Sequence, residues 1–476
     1  MELYVDALAS LLGQIGDWIT LYITAVVLAG AGIAFTIATR GVQFRLFRQM
    51  WKVVLHSREN ARGGISSFQA FAISLAARVG IGNVFGVAVA LLLGGPGAIF
   101  WMWIVALLGM ATAFYEATTA QIFKVRSDKG TFVGGPAYYL SLGLKQKWLG
   151  VLFAFITVIT CAFTITMLQA NAISSTMDSY GVAKPVWTAI ILAVLTALVV
   201  QGGIKSVARV TEILAPVMAG IYVLVALLIM LLNLSAVPEV FRLIFTSAFS
   251  VNPVVGGLGG GIVAAIINGT KRGLFSNEAG QGTAPNAAAT ANASHPVQQG
   301  LIQSLGVFLD TIVVCSATAF VILLAGKEVW EDPQSNPATL TTAAIASLLG
   351  SGAIIPMTIM IFVLAFSSII AAYVYSEVNL RFFTNNPQAI MAVRVVSVVS
   401  VVLGCLAPLP IVWNTVDIAM AIMTLVNLVG LLGLMPWAAG ALRDYEQQLK
   451  SGNNEPVFVG KNNSYLPSTL PTDIWQ

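Results

Sequence analysis

Hydrophobic residues come in long runs separated by short polar stretches. A helix rises ~1.5 Å per residue, so roughly 20 apolar residues cross ~30 Å of hydrocarbon. Eleven runs meet that length, at about 18–39, 68–93, 98–123, 148–176, 185–201, 211–234, 254–275, 298–325, 353–378, 391–408 and 412–436. The pattern predicts an all-α polytopic membrane protein with 11 transmembrane helices. The second run, FQAFAISLAARVGIGNVFGVAVALLL over Phe68–Leu93, is faulty at its centre, where Arg78, Gly80, Gly82 and Asn83 sit. Each glycine costs ~1 kcal/mol against alanine in a helix, and an arginine at the bilayer centre ~2.5–3.5 kcal/mol. Lipid cannot satisfy freed backbone groups, so the run predicts two half-helices meeting at Val79–Asn83 over an enclosed cavity. The N–H groups at Gly80, Ile81, Gly82 and Asn83 then suit a carboxylate, and the carbonyls around Ala77, Val79 and Gly80 suit a cation. The plain alternative is a glycine-rich span packed tightly on its neighbours.

The seventh run has the same fault. It opens on GGLGGG at Gly256–Gly261, and INGTKRGLFSNEAG follows. Asn268, Gly269 and Thr270 fall near mid-depth, with Lys271 and Arg272 directly after. A break at Asn268–Thr270 offers carbonyls for an ammonium, an amide and a hydroxyl. With the interrupted runs second and seventh, runs 2–6 and 7–11 form two five-helix sets and the first is left over. Five is odd, so the second set enters the membrane in the opposite sense. Paired interruptions in inverted halves point to a transporter's midplane site.

Basic residues set the orientation. Alternate loops from Arg40–Arg62 to the tail, with Lys271 and Arg272 counted among them, hold far more Lys and Arg than the other side, which has Lys184, Arg242 and Lys327. The N-terminus is expected outside and the C-terminus inside. The organisation predicted is an extra N-terminal helix (1–39), a cytoplasmic amphipathic segment (40–64), two repeats (65–234 and 235–440) and a disordered cytoplasmic tail (441–476). Pro238–Phe249 and Thr339–Leu349 read as short outer-face helices.

Composition narrows the function classes. Charged residues make up 9% of the chain, against ~25% in soluble domains. A dispersed net charge of +4 gives no reason to expect nucleic acid. Cys161, Cys315 and Cys405 lie inside apolar runs, and His56 and His295 are far apart, so neither a disulfide framework nor a metal set is expected. No nucleophile–base spacing suggests an enzyme, no repeated pore segment suggests a channel, and no cleavable leader is evident over Met1–Trp18. No organic cofactor or obligate protein partner is expected, and the bilayer is the expected surrounding.

Further polar residues lie within the runs. Gln169 and Asn171 end the fourth, and Ser367 and Ser368 sit in the ninth. Serine hydroxyls and carbonyls are hard, neutral ligands suited to sodium, and neutral donors and acceptors suit a zwitterion. Ionisable residues inside spans are functional candidates by default. Asp310 is a candidate cation ligand or partner of Lys271 or Arg272, and Glu116 a counter-ion for Arg78. These carboxylates leave proton coupling open.

Several blocks resemble the alanine or glycine:cation symporter family. They are RVGIGNVFGVA at Arg78–Ala88, GGPGAIFWMWIVALLG at Gly94–Gly109, GMATAFYEATTAQ at Gly109–Gln121, GGPAYYL at Gly134–Leu140, KRGLFSNEAGQGTAPNAAATA at Lys271–Ala291 and HPVQQG at His295–Gly300. The resemblance implies a leucine-transporter-like 5+5 inverted repeat with one extra N-terminal helix. It also implies a multi-pass carrier in a bacterial or archaeal plasma membrane, importing a small neutral amino acid with sodium. Alanine or glycine is the implied substrate; a proton as coupling ion, or glutamine or serine as substrate, is the alternative. Carried over, Gly80–Asn83, Gln169 and the unwound part of the seventh run line the substrate site. Ser367 and Ser368, with carbonyls near Val79, form the sodium site; the fold often has one threonine where this chain has two serines.

Overall fold

A computed structural model describes residues 2–58, 65–127, 130–250, 261–332, 335–407 and 409–475. Of the GGLGGG stretch only Gly261 lies within the described residues. Lipid offers the backbone no partners, so the apolar runs form helices. In chain order these are α1 (Ser10–Ala38), α2 (Ser67–Arg78), α3 (Gly82–Gly94), α4 (Gly97–Ile122), α5 (Lys147–Ser179), α6 (Pro185–Val200) and α7 (Gly203–Leu232). Then come α8 (Gly261–Asn277), α9 (Ala284–Thr290), α10 (Pro296–Leu324), α11 (Ser351–Phe383), α12 (Pro387–Leu406) and α13 (Leu409–Gly433). Among the described residues eight helices are long and apolar enough to cross a bilayer, and α2 with α3, bent by 44°, adds a ninth when the pair is taken as one span. The protein is a multi-pass membrane protein.

Burial separates core from rim. In α4 and α10, 67% of the most apolar window is buried inside the protein, against 22% in α7 and 28% in α1. The exposed Leu, Ile and Val of α1, α7 and α12 are the lipid-facing surface. The helix of α1 begins earlier than the apolar run, because Glu2–Ile19 continues into it. Helices Val237–Ser247 and Pro337–Leu349 form close to where the sequence puts them, and the amphipathic Phe47–Leu55 packs on α10.

Local signals fix the two elements nearest the site. Ser66 and Gln69 form a capping box, with Gln69 N–H donating to Ser66 Oγ at 3.1 Å and Ser66 N–H to Gln69 Oε1 at 3.0 Å, so α2 starts at Ser67. Pro285 lies in the first turn of α9, where its missing N–H is harmless. Between these helices Ile65–Ser66 and Ala291–Asn292 pair as parallel strands and tie the start of α2 to the end of α9.

The tail departs from the expectation of disorder. Met435–Lys450 is helical, and the following segment folds back on the bundle. Phe458 N–H donates to Ser294 O at 2.9 Å, and Trp475 Nε1 to Gln121 O at 2.9 Å. Both aromatic rings are buried. Composition hid this because two aromatic anchors in a polar stretch barely change its average. Lys124 Nζ lies over the Trp475 ring at 4.6 Å and over the Phe132 ring at 4.2 Å. Burial, with Arg126 nearby, pushes the Lys124 amine down to about 7, and the two ring faces offset part of that effect. Trp475→Ala is expected to cost about 3 kcal/mol of docking and packing energy, read as a lower melting temperature of the detergent-purified protein.

Candidate functional site

The first interruption forms where α2 ends. Val79 takes ψ 81° and leaves the helix, and Gly80 N–H donates to Arg78 O at 2.9 Å. Gly80 N–H also meets Asn83 Oδ1 at 3.0 Å, and Ile81 N–H donates to Gln169 Oε1 on α5 at 3.3 Å. A continuous helix would send Gly80 N–H to Ala76 O; here that carbonyl is released and accepts from Ser368 Oγ at 2.7 Å. Ser367 Oγ lies 3.5 Å from the same carbonyl and donates to Leu364 O at 2.8 Å. The carbonyl that meets the serine pair is therefore that of Ala76, one residue before the expected Ala77. A Cβ at Gly80 would collide with Ser368 Oγ and crowd Gln169 Oε1, so the break, α5 and α11 meet at one point.

Wide helical turns cluster here. One opens α3 at Gly82–Gly86, one lies in α5 at Thr160–Ile165, and one in α10 at Phe308–Cys315. Such turns are frequent at functional sites. The last carries Asp310, whose carboxylate accepts from Asn83 Nδ2 at 2.6 Å, Thr311 Oγ1 at 2.6 Å and Ser276 Oγ at 2.8 Å. Asp310 thus faces the first break and does not pair with Lys271 or Arg272.

The structure does not place a second interruption where the sequence puts it. Asn268, Gly269 and Thr270 lie within the uninterrupted α8, which runs to Asn277. Gly269 serves close packing, since a Cβ there would run into Ala98 O and Trp101 on α4. Asn268 Nδ2 returns to Ala264 O at 3.0 Å. Lys271 and Arg272 are accommodated by acids from other helices: Lys271 Nζ lies 2.6 Å from Asp17, and Arg272 Nη2 2.5 Å from Asp417. Arg272 also covers the Trp413 ring at 4.7 Å, and Phe275 packs on that ring. These basic residues therefore belong inside the bundle, not to a loop.

The helix stops at Glu278, which takes φ 57°, and Gly280 (φ 91°) and Gly282 (φ 80°) complete the unwound turn before α9. Here Glu116 is decisive. Its Oε2 accepts Gly280 N–H at 3.0 Å, and its Oε1 accepts Gly282 N–H at 2.9 Å and Asn427 Nδ2 at 2.6 Å. The carboxylate caps the second break and does not pair with Arg78. Arg78 is fully buried and donates through Nη1 to Gln303 O at 3.3 Å.

Between the two breaks lies a cavity of about 10 Å³, bordered by Ala77, Arg78, Gly82, Gln169, Phe275, Glu278 and Gln281 among others. It has room for about one water, so an amino acid enters only when these side chains move apart. Asn171 is engaged elsewhere, donating to Gly404 O at 2.9 Å and Ala407 O at 2.7 Å. Phe275, Ser276, Glu278 and Gln281 are site residues the sequence reading missed. Asn277, Gly280, Gly282 and Pro285 form a helix-stop signal that would have located them.

A family model described as the sodium:alanine symporter family matches residues 5–459. The chain belongs to the sodium:alanine symporter family. Among sodium:alanine symporter relatives, the amino-acid carrier protein AlsT of Bacillus subtilis is 42% identical over 98% of this chain and 97% of its own length. The sodium/alanine symporter AgcS of Methanococcus maripaludis is 39% identical over 82% of this chain and 87% of its own. The crystal structure of MhsT in complex with L-phenylalanine superposes with a TM-score of 0.57 at 16% identity, covering 79% of this chain and 91% of that one. At that identity the likeness speaks for the fold, which this member of the family shares with leucine-transporter-like carriers.

Proposed function

We propose that the protein imports a small neutral amino acid, alanine or glycine, together with sodium, by alternating access across a bacterial inner membrane. The observation that carries this is unwound backbone at Val79–Ile81 and at Glu278–Thr283 meeting around one small cavity, in a chain of the sodium:alanine symporter family. This reading keeps eleven spans, an extra helix and two inverted five-helix halves, with the first break at Val79–Asn83 and the second moved from 268–270 to Glu278–Thr283, just past the 254–275 run. With Lys271 and Arg272 moved into the bundle, the remaining basic residues still favour an outer N-terminus and an inner C-terminus. The proposed domain limits stay at 39, 64, 234 and 440.

The roles follow from local geometry. Peptide N–H groups at Gly80–Asn83 and the Gln169 amide receive the substrate carboxylate. Ala76 O, Ser367 Oγ and Ser368 Oγ lie close enough to share one cation. Asp310, held by Asn83, would favour a second cation or a proton near the substrate. The Phe275–Trp413 contact borders the cavity beside the Arg272–Asp417 pair, and these contacts would open to admit substrate.

Uptake of radiolabelled alanine and glycine into proteoliposomes tests this, with an imposed sodium gradient and then a proton gradient alone. Sodium-driven accumulation is expected. Accumulation driven only by protons would favour the buried carboxylates as the coupling groups, and uptake of glutamine or serine in place of alanine would change the substrate. Normal transport by both Asn83→Ala and Gln169→Ala would show that the pocket is elsewhere.

A further inference from the structure

Arg78, Glu116, Glu278 and Asp310 lie around the two interruptions, and none belongs to an ion pair among the described residues. Two of the carboxylates are fully used by protein donors on both oxygens. Glu116 holds Gly280, Gly282 and Asn427, and Asp310 holds Asn83, Ser276 and Thr311. Glu278 differs. Its hydrogen bonds, from Thr283 Oγ1 at 3.0 Å and Tyr375 OH at 3.3 Å, both fall on Oε2. Its side chain borders the central cavity, and across that cavity lies Arg78, whose Nε and Nη2 have no partner among the described residues.

A buried charge without a partner is strongly unfavourable, and a neutral pocket built from peptide groups has no need of a carboxylate. Arg78 supplies an opposite charge across the cavity but no hydrogen bond to Oε1, so a charged donor brought by the cargo completes the carboxylate's partners. We propose that Glu278 receives the α-ammonium of the transported amino acid through Oε1. This deepens the reading given under Proposed function and rests on it. The substrate carboxylate stays with the N–H groups of Gly80–Asn83, so the zwitterion is gripped at both ends. A small carboxylate lacking an ammonium, such as lactate or propionate, would bring only negative charge towards Glu278 and be excluded. The carrier then selects on the ammonium as well as on size.

The test measures alanine uptake and its inhibition by lactate and propionate, in proteoliposomes under a sodium gradient, for wild type, Glu278→Gln and Glu278→Asp. For Glu278→Gln the alanine KM is expected to rise at least about tenfold, with lactate approaching alanine as a competitor. Glu278→Asp, which keeps the charge but shortens the reach, is expected to fall between. Folding is checked separately by the sodium-induced rise in melting temperature, which depends on the Ser367–Ser368 site and is expected to persist. An unchanged KM with lactate still excluded overturns the proposal. So does a Glu278→Gln variant that loses only a proton-driven component of uptake. If wild type transports no neutral amino acid, the underlying reading fails and takes this proposal with it; if wild type transports alanine normally, a null result in Glu278→Gln sinks the Glu278 assignment alone.

Discussion

Ser368→Ala is expected to raise the sodium concentration for half-maximal uptake about tenfold, equivalent to ~1.4 kcal/mol of ion affinity. The hydroxyl lies 2.7 Å from Ala76 O, the carbonyl released when Gly80 turns away from the helix. Removing it takes one hard oxygen from the proposed cation site and leaves the peptide carbonyls in place. Ser368→Thr restores the hydroxyl and should recover most of the affinity, whereas Ser367→Ala together with Ser368→Ala should abolish sodium dependence. Coupling is reciprocal, so alanine should tighten sodium binding in the wild type and do so less in Ser368→Ala. Sodium-activation curves at several alanine concentrations measure both effects. Identical curves for wild type and Ser368→Ala would mean the ion sits elsewhere.

The second large effect is expected at Glu116. Glu116→Ala leaves Gly280 N–H, Gly282 N–H and the Asn427 amide without their acceptor in a region closed to water. Each unsatisfied buried group costs about 1–3 kcal/mol, so the combined loss for the three is about 3–9 kcal/mol. Uptake should fall by at least tenfold, and the melting temperature of the purified protein should drop. Glu116→Gln keeps one acceptor and puts an NH₂ against the other donors, so it should lie between wild type and Glu116→Ala. A Glu116→Ala protein of wild-type melting temperature and activity would remove Glu116 from the set that shapes the break.

Glu116 also shows where sequence reasoning reaches and where it stops. A carboxylate in an apolar run signals function because it is too unfavourable to bury idly, and that much is readable from GMATAFYEATTAQ. Its partners are not readable, because Gly280 and Gly282 lie 164 and 166 residues away. The expected partner Arg78 has the right charge but the wrong position. Lys271 and Arg272 make the same point from the other side. Two adjacent basic residues read as a break or a loop, yet Asp17 and Asp417 reach them from the first and last long helices and let α8 run on. Glycine is equally ambiguous by itself. At Gly80 the absent side chain makes room for Ser368 at a break, and at Gly269 for close approach to α4 within an intact helix.

The chain alone determined that long apolar helices dominate, that the second run is interrupted, and that Gly80–Asn83, Gln169, Ser367 and Ser368 are the polar and glycine positions that meet there. These follow from local physics: apolar length, glycine spacing, and polar groups where lipid forbids them. Tertiary structure decided which carbonyl meets the serines, where the second helix unwinds, which acid answers which base, and that the tail docks. Each depends on contacts between segments distant along the chain, where the energy of satisfying a buried charge or peptide group outweighs the local preference of either segment.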